Sequence, residues 1–201
     1  MTLDEIAIKH NCDKSSLGHD YCRIYEKYFP LDHKLDIFEI GYGGYDDPNA
    51  GGESAKMWYE FGAFLTIIDI YKKINVPAGV LFEQCSGDSP MAKELAKGNN
   101  VIIDDGSHIN ADIITTFKNL WPSLNPGGLY CVEDLHSSYD PYYPDSGEYP
   151  ANPDTAMSYF TFLSHSVNYP FIMDRDKENY LYDDIEYIHF YKELVIIKKK
   201  A

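Results

Sequence analysis

Short apolar runs alternate along this chain with amphipathic stretches, and the runs end on carboxylates or glycines. "KLDIFEIG" (34–41), "FLTIIDIY" (64–71), "GVLFEQCSGD" (79–88), "NVIIDDG" (100–106) and "LYCVEDLH" (129–136) read as strands, each brief and bounded by turn residues. Between them, "AKMWYEFG" (55–62), "PMAKELAKG" (90–98) and "ADIITTFKNLW" (111–121) read as helices. In the last, Ile113, Ile114, Phe117, Leu120 and Trp121 share one face. A helix carrying Tyr21, Ile24, Tyr25, Tyr28 and Phe29 is expected before the first strand, stopped by Pro30, and "AMSYFTFLSHSV" (156–167) is expected as another. "IEYIHFYKELVIIKKK" (185–200) reads as two strands about a tight turn near Lys192 and Glu193. Strand and helix in alternation demand crossover connections. The expected architecture is therefore α/β, a mostly parallel sheet covered on both faces with a hairpin-like pair at its end.

Ligands of such sheets bind beyond the carboxyl ends of the strands. Glu39, Asp69, Asp88, Asp104, Asp105, Glu133 and Asp134 all fall at or near those ends. Composition narrows what they serve. A length of 201 residues suits one domain, 1–201. A net charge of −15 repels phosphate backbones and anionic headgroups, which argues against nucleic acid and membrane surfaces as partners. No apolar run is long enough to cross a bilayer. "MTLDEIAIKH" carries early acids and no signal core. Cys12, Cys22, Cys85 and Cys131 form no CxxC pair and are expected as reduced thiols in a cytoplasmic protein.

A glycine-rich loop after the first strand, "GYGGYDDPNAGGES" (41–54), with an acid after the second, suits two kinds of ligand. A dinucleotide needs a tight GxGxxG turn into a helix N-terminus. Here the loop is long and carries Asp46, Asp47 and Glu53, which would meet pyrophosphate with negative charge. S-adenosylmethionine has no phosphate and bears a sulfonium and an ammonium, which nearby carboxylates favour. Asp69 is placed for the ribose hydroxyls and Asp88 for the adenine amino group, while Glu39 and Asp104 would shape the methionine end. Gly41, Ser54 and Ser86 complete the expected cofactor-binding set. Ordinary solvated strand-end acids remain the plain alternative.

Taken together, "LDIFEIGYGGYDDPNAGGESAKMW", "IIDIY", "IIDDGSHIN" and "GGLYCVEDLH" resemble the class I methyltransferases. More narrowly they are similar to the metal-dependent sugar O-methyltransferases of macrolide biosynthesis, the macrocin and mycinamicin type. "CDKSSLGHDYCRIYEKYF" and "IEYIHFYKELVIIKK" extend the resemblance over nearly all of residues 10 to 200. It implies a Rossmann-like class I methyltransferase fold with a seven-stranded sheet and a C-terminal antiparallel strand pair. It also implies a magnesium ion, or another divalent cation, bound by Asp105, Glu133 and Asp134, with His108 as base. Residues 1–30 would lie over the cofactor site, and residues 137–155 would form a lid over a small sugar acceptor. The aromatic residues that follow the Glu-Asp pair in the family are replaced here by His136 and a run of Ser and Tyr.

The implied roles suit the chemistry. A sugar hydroxyl titrates far above pH 7, and a divalent cation lowers the pKa of an oxygen it binds. Hard oxygen donors suit magnesium. Three carboxylates converging without a cation would repel one another. A histidine with a pKa near 6.5 is a fitting base at neutral pH. Plainer readings stand beside these. Asp104 or Asn110 could cap the following helix, His108 could only bond its start, and Glu133 and Asp134 could be solvated charges. His10, His19, His33, His165 and His189 show no partners in the sequence, although His19 could meet the cofactor. The tyrosines of "SSYDPYYPDSGEYP" could stack on a sugar or simply line an exposed loop. A metal-dependent hydrolase would leave the glycine loop and Asp69 unexplained. A degenerate cofactor-binding module would not need Asp105, His108, Glu133 and Asp134 together. Subunit number, including a homo-oligomer, is open.

Overall fold

The computed structural model describes residues 1–29, 35–147, 152 and 154–201. Its centre is a seven-stranded sheet in the order β3-β2-β1-β4-β5-β7-β6. The strands are β1 (Asp36–Ile40), β2 (Phe64–Asp69), β3 (Leu81–Gln84), β4 (Val101–Asp104), β5 (Leu129–Val132), β6 (Ile185–Phe190) and β7 (Val195–Lys199). The first five run parallel, and β7 lies antiparallel between β5 and β6. This is the seven-stranded, mostly parallel sheet with a C-terminal antiparallel pair that the sequence implied.

Strand alternation divides the interior into two layers. On one face Ile37, Leu65, Ile67, Val101, Ile103 and Cys131 pack beneath α1 (Leu3–Lys9), α2 (Tyr21–Tyr25) and α3 (Glu53–Phe61), with Tyr25, Phe29 and Trp58 filling the layer. On the other, Phe38, Ile40, Ile102, Tyr130 and Val132 meet α4 (Pro90–Leu95), α5 (Asn110–Leu120) and α6 (Ala156–Leu163). Phe117, Trp121 and Phe160 are fully or almost fully buried there. The same alternation sends Glu39 toward α3 and Asp104, the register neighbour of Ile40, toward the α5 side. At the carboxyl edge Gly41 takes φ +100, and a Cβ there would lie 2.0 Å from the carbonyl oxygen of Asp105. Only glycine lets the loop after β1 pass so close to the loop after β4.

Several boundaries differ from the sequence reading. The helix expected over 156–167 ends at Leu163 and continues as tighter 3-10 turns to Phe171, because Pro170 and the non-helical Asn168 prevent a regular ladder. The helix before β1 is a single short turn region, Tyr21–Tyr25, and its expected stop at Pro30 lies outside the described residues. Helix α3 begins two residues earlier than expected, at Glu53, led in by Gly52 at φ 85.

Helix α5 has Ile109 at its N-cap, which offers no side-chain acceptor. Asp145 supplies it from a distance: the Ala111 amide donates to Oδ2 at 2.9 Å and the Asn110 side-chain amide to Oδ1 at 3.0 Å. Burial opposes the charge of Asp145, yet these donors hold its pKa below the usual carboxylate value. Replacing Asp145 with Ala should therefore lower stability by about 0.5–2 kcal/mol, the range for lost caps. A depressed carboxyl pKa stabilises the fold above its unfolded value and ceases to do so as the acid is protonated. The difference in melting temperature between parent and variant should accordingly shrink as the pH falls below 3.8, the ordinary aspartate value. Equal melting temperatures at neutral pH would remove the remote cap.

Candidate active site

The site lies where β1, β4 and β5 end. Register aligns Glu39 with Ile103 and Asp104 with Val132, so Glu39, Asp105 and Glu133 leave neighbouring strands on one face. Glu39 and Glu133 are fully or almost fully buried, and Asp105 and Asp134 are partly open. His108 Nε2 lies 3.8 Å from Asp105 Oδ1 and 3.6 Å from Asp134 Oδ2. Its Nδ1 is buried without a hydrogen-bond partner among the described residues. His108 and Asp134 both adopt left-handed backbone, at φ 55 and φ 54. For residues other than glycine such conformations cost roughly 1–3 kcal/mol and tend to mark functional sites.

The carboxylates do not converge bare; the positive charge among them is a lysine, which the sequence reading did not foresee. Lys14, 1% exposed, puts its ammonium 2.5 Å from Asp105 Oδ2, 2.5 Å from Glu133 Oε2 and 3.7 Å from Glu39 Oε1. Tyr25 donates to Glu133 Oε1 at 2.5 Å and Tyr21 to Asp134 Oδ1 at 2.6 Å. Burial disfavours the charge of Lys14, but Asp105, Glu133 and Glu39 outweigh it and hold the ammonium well above the usual lysine value. Burial in turn pushes Glu133 up against the pull of Lys14, and raises Glu39 to about 7. The two acids facing His108 differ. Burial raises Asp105. Asp134 is lowered despite burial, by the Tyr21 hydroxyl and then by His108 and His19.

The open oxygens, Asp105 Oδ1 and Asp134 Oδ2, face His108. Asp105, His108 and Asp134 can each offer a ligand atom with all three within 4.8 Å of one another. Hard oxygens on this spacing fit a small divalent cation. Glu133, expected beside them, has both oxygens engaged by Lys14 and Tyr25.

The expected cofactor residues lie along the same rim toward β2 and β3. Asp69 Oδ2 accepts the Tyr42 amide at 2.9 Å and Oδ1 the Tyr71 amide at 2.8 Å, which ties the glycine loop to the end of β2. Ser54 donates to Glu39 at 3.2 Å. Ser86 donates to Asp88, which is exposed beyond β3. Asp104 caps no helix. It is buried with the Tyr130 hydroxyl at 3.4 Å, and burial raises it to about 7. Carboxylates and hydroxyls of this kind suit a sulfonium, an ammonium and ribose hydroxyls better than phosphate.

Three histidines without partners in the sequence have them in the fold. His10 meets Glu60 at 2.7 Å, His19 meets Glu193 at 3.0 Å and His189 meets the Tyr28 hydroxyl at 2.7 Å. His165 packs against Phe162, and His33 lies outside the described residues. The first residues of the expected lid are anchored: Ser137 and Ser138 are buried, and Ser138 donates to Asn110. Tyr143 stands edge-on to both His108 and His136, at centroid distances of 6.3 and 6.1 Å. Residues 148–151 and 153 of that stretch lie outside the described residues.

Sequence reasoning missed Lys14, Tyr21, Tyr25 and Glu193. A signal was present: so many buried strand-end acids require a buried cation, and Lys14 stands in a polar loop just before two tyrosines spaced i, i+4.

No family model matches the chain. It is similar to the 8-demethyl-8-alpha-L-rhamnosyl tetracenomycin-C 2'-O-methyltransferase of Streptomyces olivaceus, 34% identical over 99% of this chain and 55% of that protein. It is also 34% identical to the mycinamicin VI 2''-O-methyltransferase of Micromonospora griseorubida, over 69% of this chain and 37% of that one. Among solved structures it superposes on the MycE methyltransferase in complex with Mg, SAH and mycinamycin VI, with a TM-score of 0.89 and 25% identity. That match covers 100% of this chain and 54% of the other. The chain thus spans about half the length of the curated relatives it matches. Among the described residues no helix is long and apolar enough to cross a membrane.

Proposed function

This chain is a class I methyltransferase by fold, similar in sequence to the macrolide-sugar O-methyltransferases, and on that premise we propose that it methylates a hydroxyl of a sugar or sugar-containing small molecule. The methyl donor is S-adenosylmethionine, and the reaction depends on magnesium or a similar divalent cation. The observation that carries this reading is the placement of His108 Nε2, 3.8 Å from Asp105 and 3.6 Å from Asp134 at the carboxyl ends of β4 and β5.

The geometry is consistent with the following roles. S-adenosylmethionine supplies a methyl group on a sulfonium, which already has a good leaving group. Asp69 accepts hydrogen bonds from the ribose hydroxyls, and Asp88 with Ser86 serves the adenine edge. Glu39, Ser54, Gly41 and Asp104 shape the methionine end. Asp105 and Asp134 would hold the cation through the oxygens that face His108, with Glu133 behind them on Lys14 and Tyr25, and the cation would lower the pKa of an alcohol brought to it. His108 takes the hydroxyl proton at Nε2. Tyr143, edge-on to His108, helps screen it from water. The acidic surface and unpaired cysteines suit a cytoplasmic enzyme acting on a small molecule rather than on nucleic acid.

Calorimetry with S-adenosylmethionine tests the cofactor half directly. Asp69→Ala should weaken binding by about 1.5–3 kcal/mol, the scale of hydrogen bonds to a charged group. Unchanged affinity would place the cofactor elsewhere. A parent protein that binds no S-adenosylmethionine but hydrolyses an ester or phosphate with a metal would replace the methyltransferase reading with a hydrolase.

A further inference from the structure

Lys14 is a buried ionisable group to which the proposed reaction gives no task. The Cys22 amide donates to the Lys14 carbonyl at 2.9 Å, which pins the loop between α1 and α2 to the start of α2. The side chain runs inward and ends on carboxylates from three strand ends, β1, β4 and β5. The groups that face the ammonium are Glu39, Asp105 and Glu133, with Cys12 nearby and Tyr25 completing the shell of Glu133. The side turned away from Lys14 is the one where Asp105 Oδ1 and Asp134 Oδ2 face His108.

We propose that Lys14 is a positioning residue. Its ammonium is the resident counter-cation that keeps Glu39, Asp105 and Glu133 assembled before a divalent cation arrives, and its charge sets how tightly that cation binds. The proposal rests on the reading that Asp105 and Asp134, with Glu133 behind them, hold the cation. Carboxylates brought this close in low dielectric repel one another unless a positive charge stands among them. An ammonium already in contact with Asp105 Oδ2 and Glu133 Oε2 draws on the negative charge of the same carboxylates and repels a second cation. The site is thereby pre-formed at the expense of affinity. An ion pair serving only the fold would have no such effect on metal binding.

Manganese(II) serves as the probe, titrated by electron paramagnetic resonance into the full chain without S-adenosylmethionine. Parent, Lys14→Met and Lys14→Arg are compared, and each is also melted in EDTA and in excess magnesium. Lys14→Met should bind manganese at least about tenfold more tightly, the scale on which one unit charge a few ångströms away acts on a divalent ion. It should melt below the parent in EDTA and recover in magnesium. Lys14→Arg keeps the charge and should stay close to the parent in manganese affinity. Parental or weaker affinity in Lys14→Met overturns the proposal, as does a variant that stays unfolded with magnesium present. A parent that binds no manganese overturns the cation reading itself, and this proposal with it.

Discussion

Asp105→Asn, or removal of the divalent cation with a chelator, should abolish methyl transfer while S-adenosylmethionine still binds. Asp105 presents one oxygen to Lys14 and the other toward His108 and Asp134. Amidation removes its charge and gives the Lys14 side a donor where an acceptor is needed. Hard cations such as magnesium are held by few carboxylates, so the loss of one is severe. Alcohol activation and acceptor placement should fail together. Cofactor affinity should be largely retained, because Asp69 and Asp88 lie on other strand ends. The comparison is made by calorimetry for the cofactor and by product formation for turnover. Full activity in EDTA, or an Asp105→Asn enzyme as fast as the parent, would mean that this cluster is not the reaction centre.

His108→Ala should lower turnover by roughly 10²–10⁴-fold, the usual contribution of a positioned base. Metal and cofactor should both still bind, because Asp105 and Asp134 keep their other partners, Lys14 and Tyr21. That separation makes the prediction sharp, since Asp105→Asn should lose the metal whereas His108→Ala should not. The double variant should be slowed less than the product of the two single effects, as residues acting on one step are not additive. A His108→Ala enzyme within a few-fold of the parent, with metal bound, would leave the proton to another acceptor.

The five parallel strands could be read from the chain because each is a short apolar run closed by an acid or glycine, and periodicity is a local property. The same alternation assigns Glu39 and Asp104 to opposite faces of the sheet. Asp105, His108, Glu133 and Asp134 were legible as a group because they crowd two adjacent strand ends in a fold whose ligands bind there. What occupies the space between them was not legible. Lys14 reaches Asp105 across 91 residues and Glu133 across 119, and no window of sequence carries such a pairing. The cap of α5 was hidden for the same reason. Asn110 looked like the capping residue, but the acceptor is Asp145, 34 residues beyond the amide it binds. The late helix was over-extended because the apolar run continues through Val167 while Asn168 and Pro170 break the ladder.

The meeting of His19 and Glu193 at Asp134 bears on the order in which the fold forms. His19, near the start, lies 3.6 Å from Asp134 and 3.0 Å from Glu193, in the turn before the last strand, 174 residues away. The backbone amide of Leu135 donates to the carbonyl of Glu193. Contacts of such separation form late, because loop closure must come before any contact can reward it. During synthesis β1, β2 and β4 can pair and bury their layers while β7, the reversed strand beside β5, is still missing. The junction of His19, Asp134 and Glu193 therefore closes only once the turn before β7 is in place, after the β1, β2 and β4 part of the rim can already have formed.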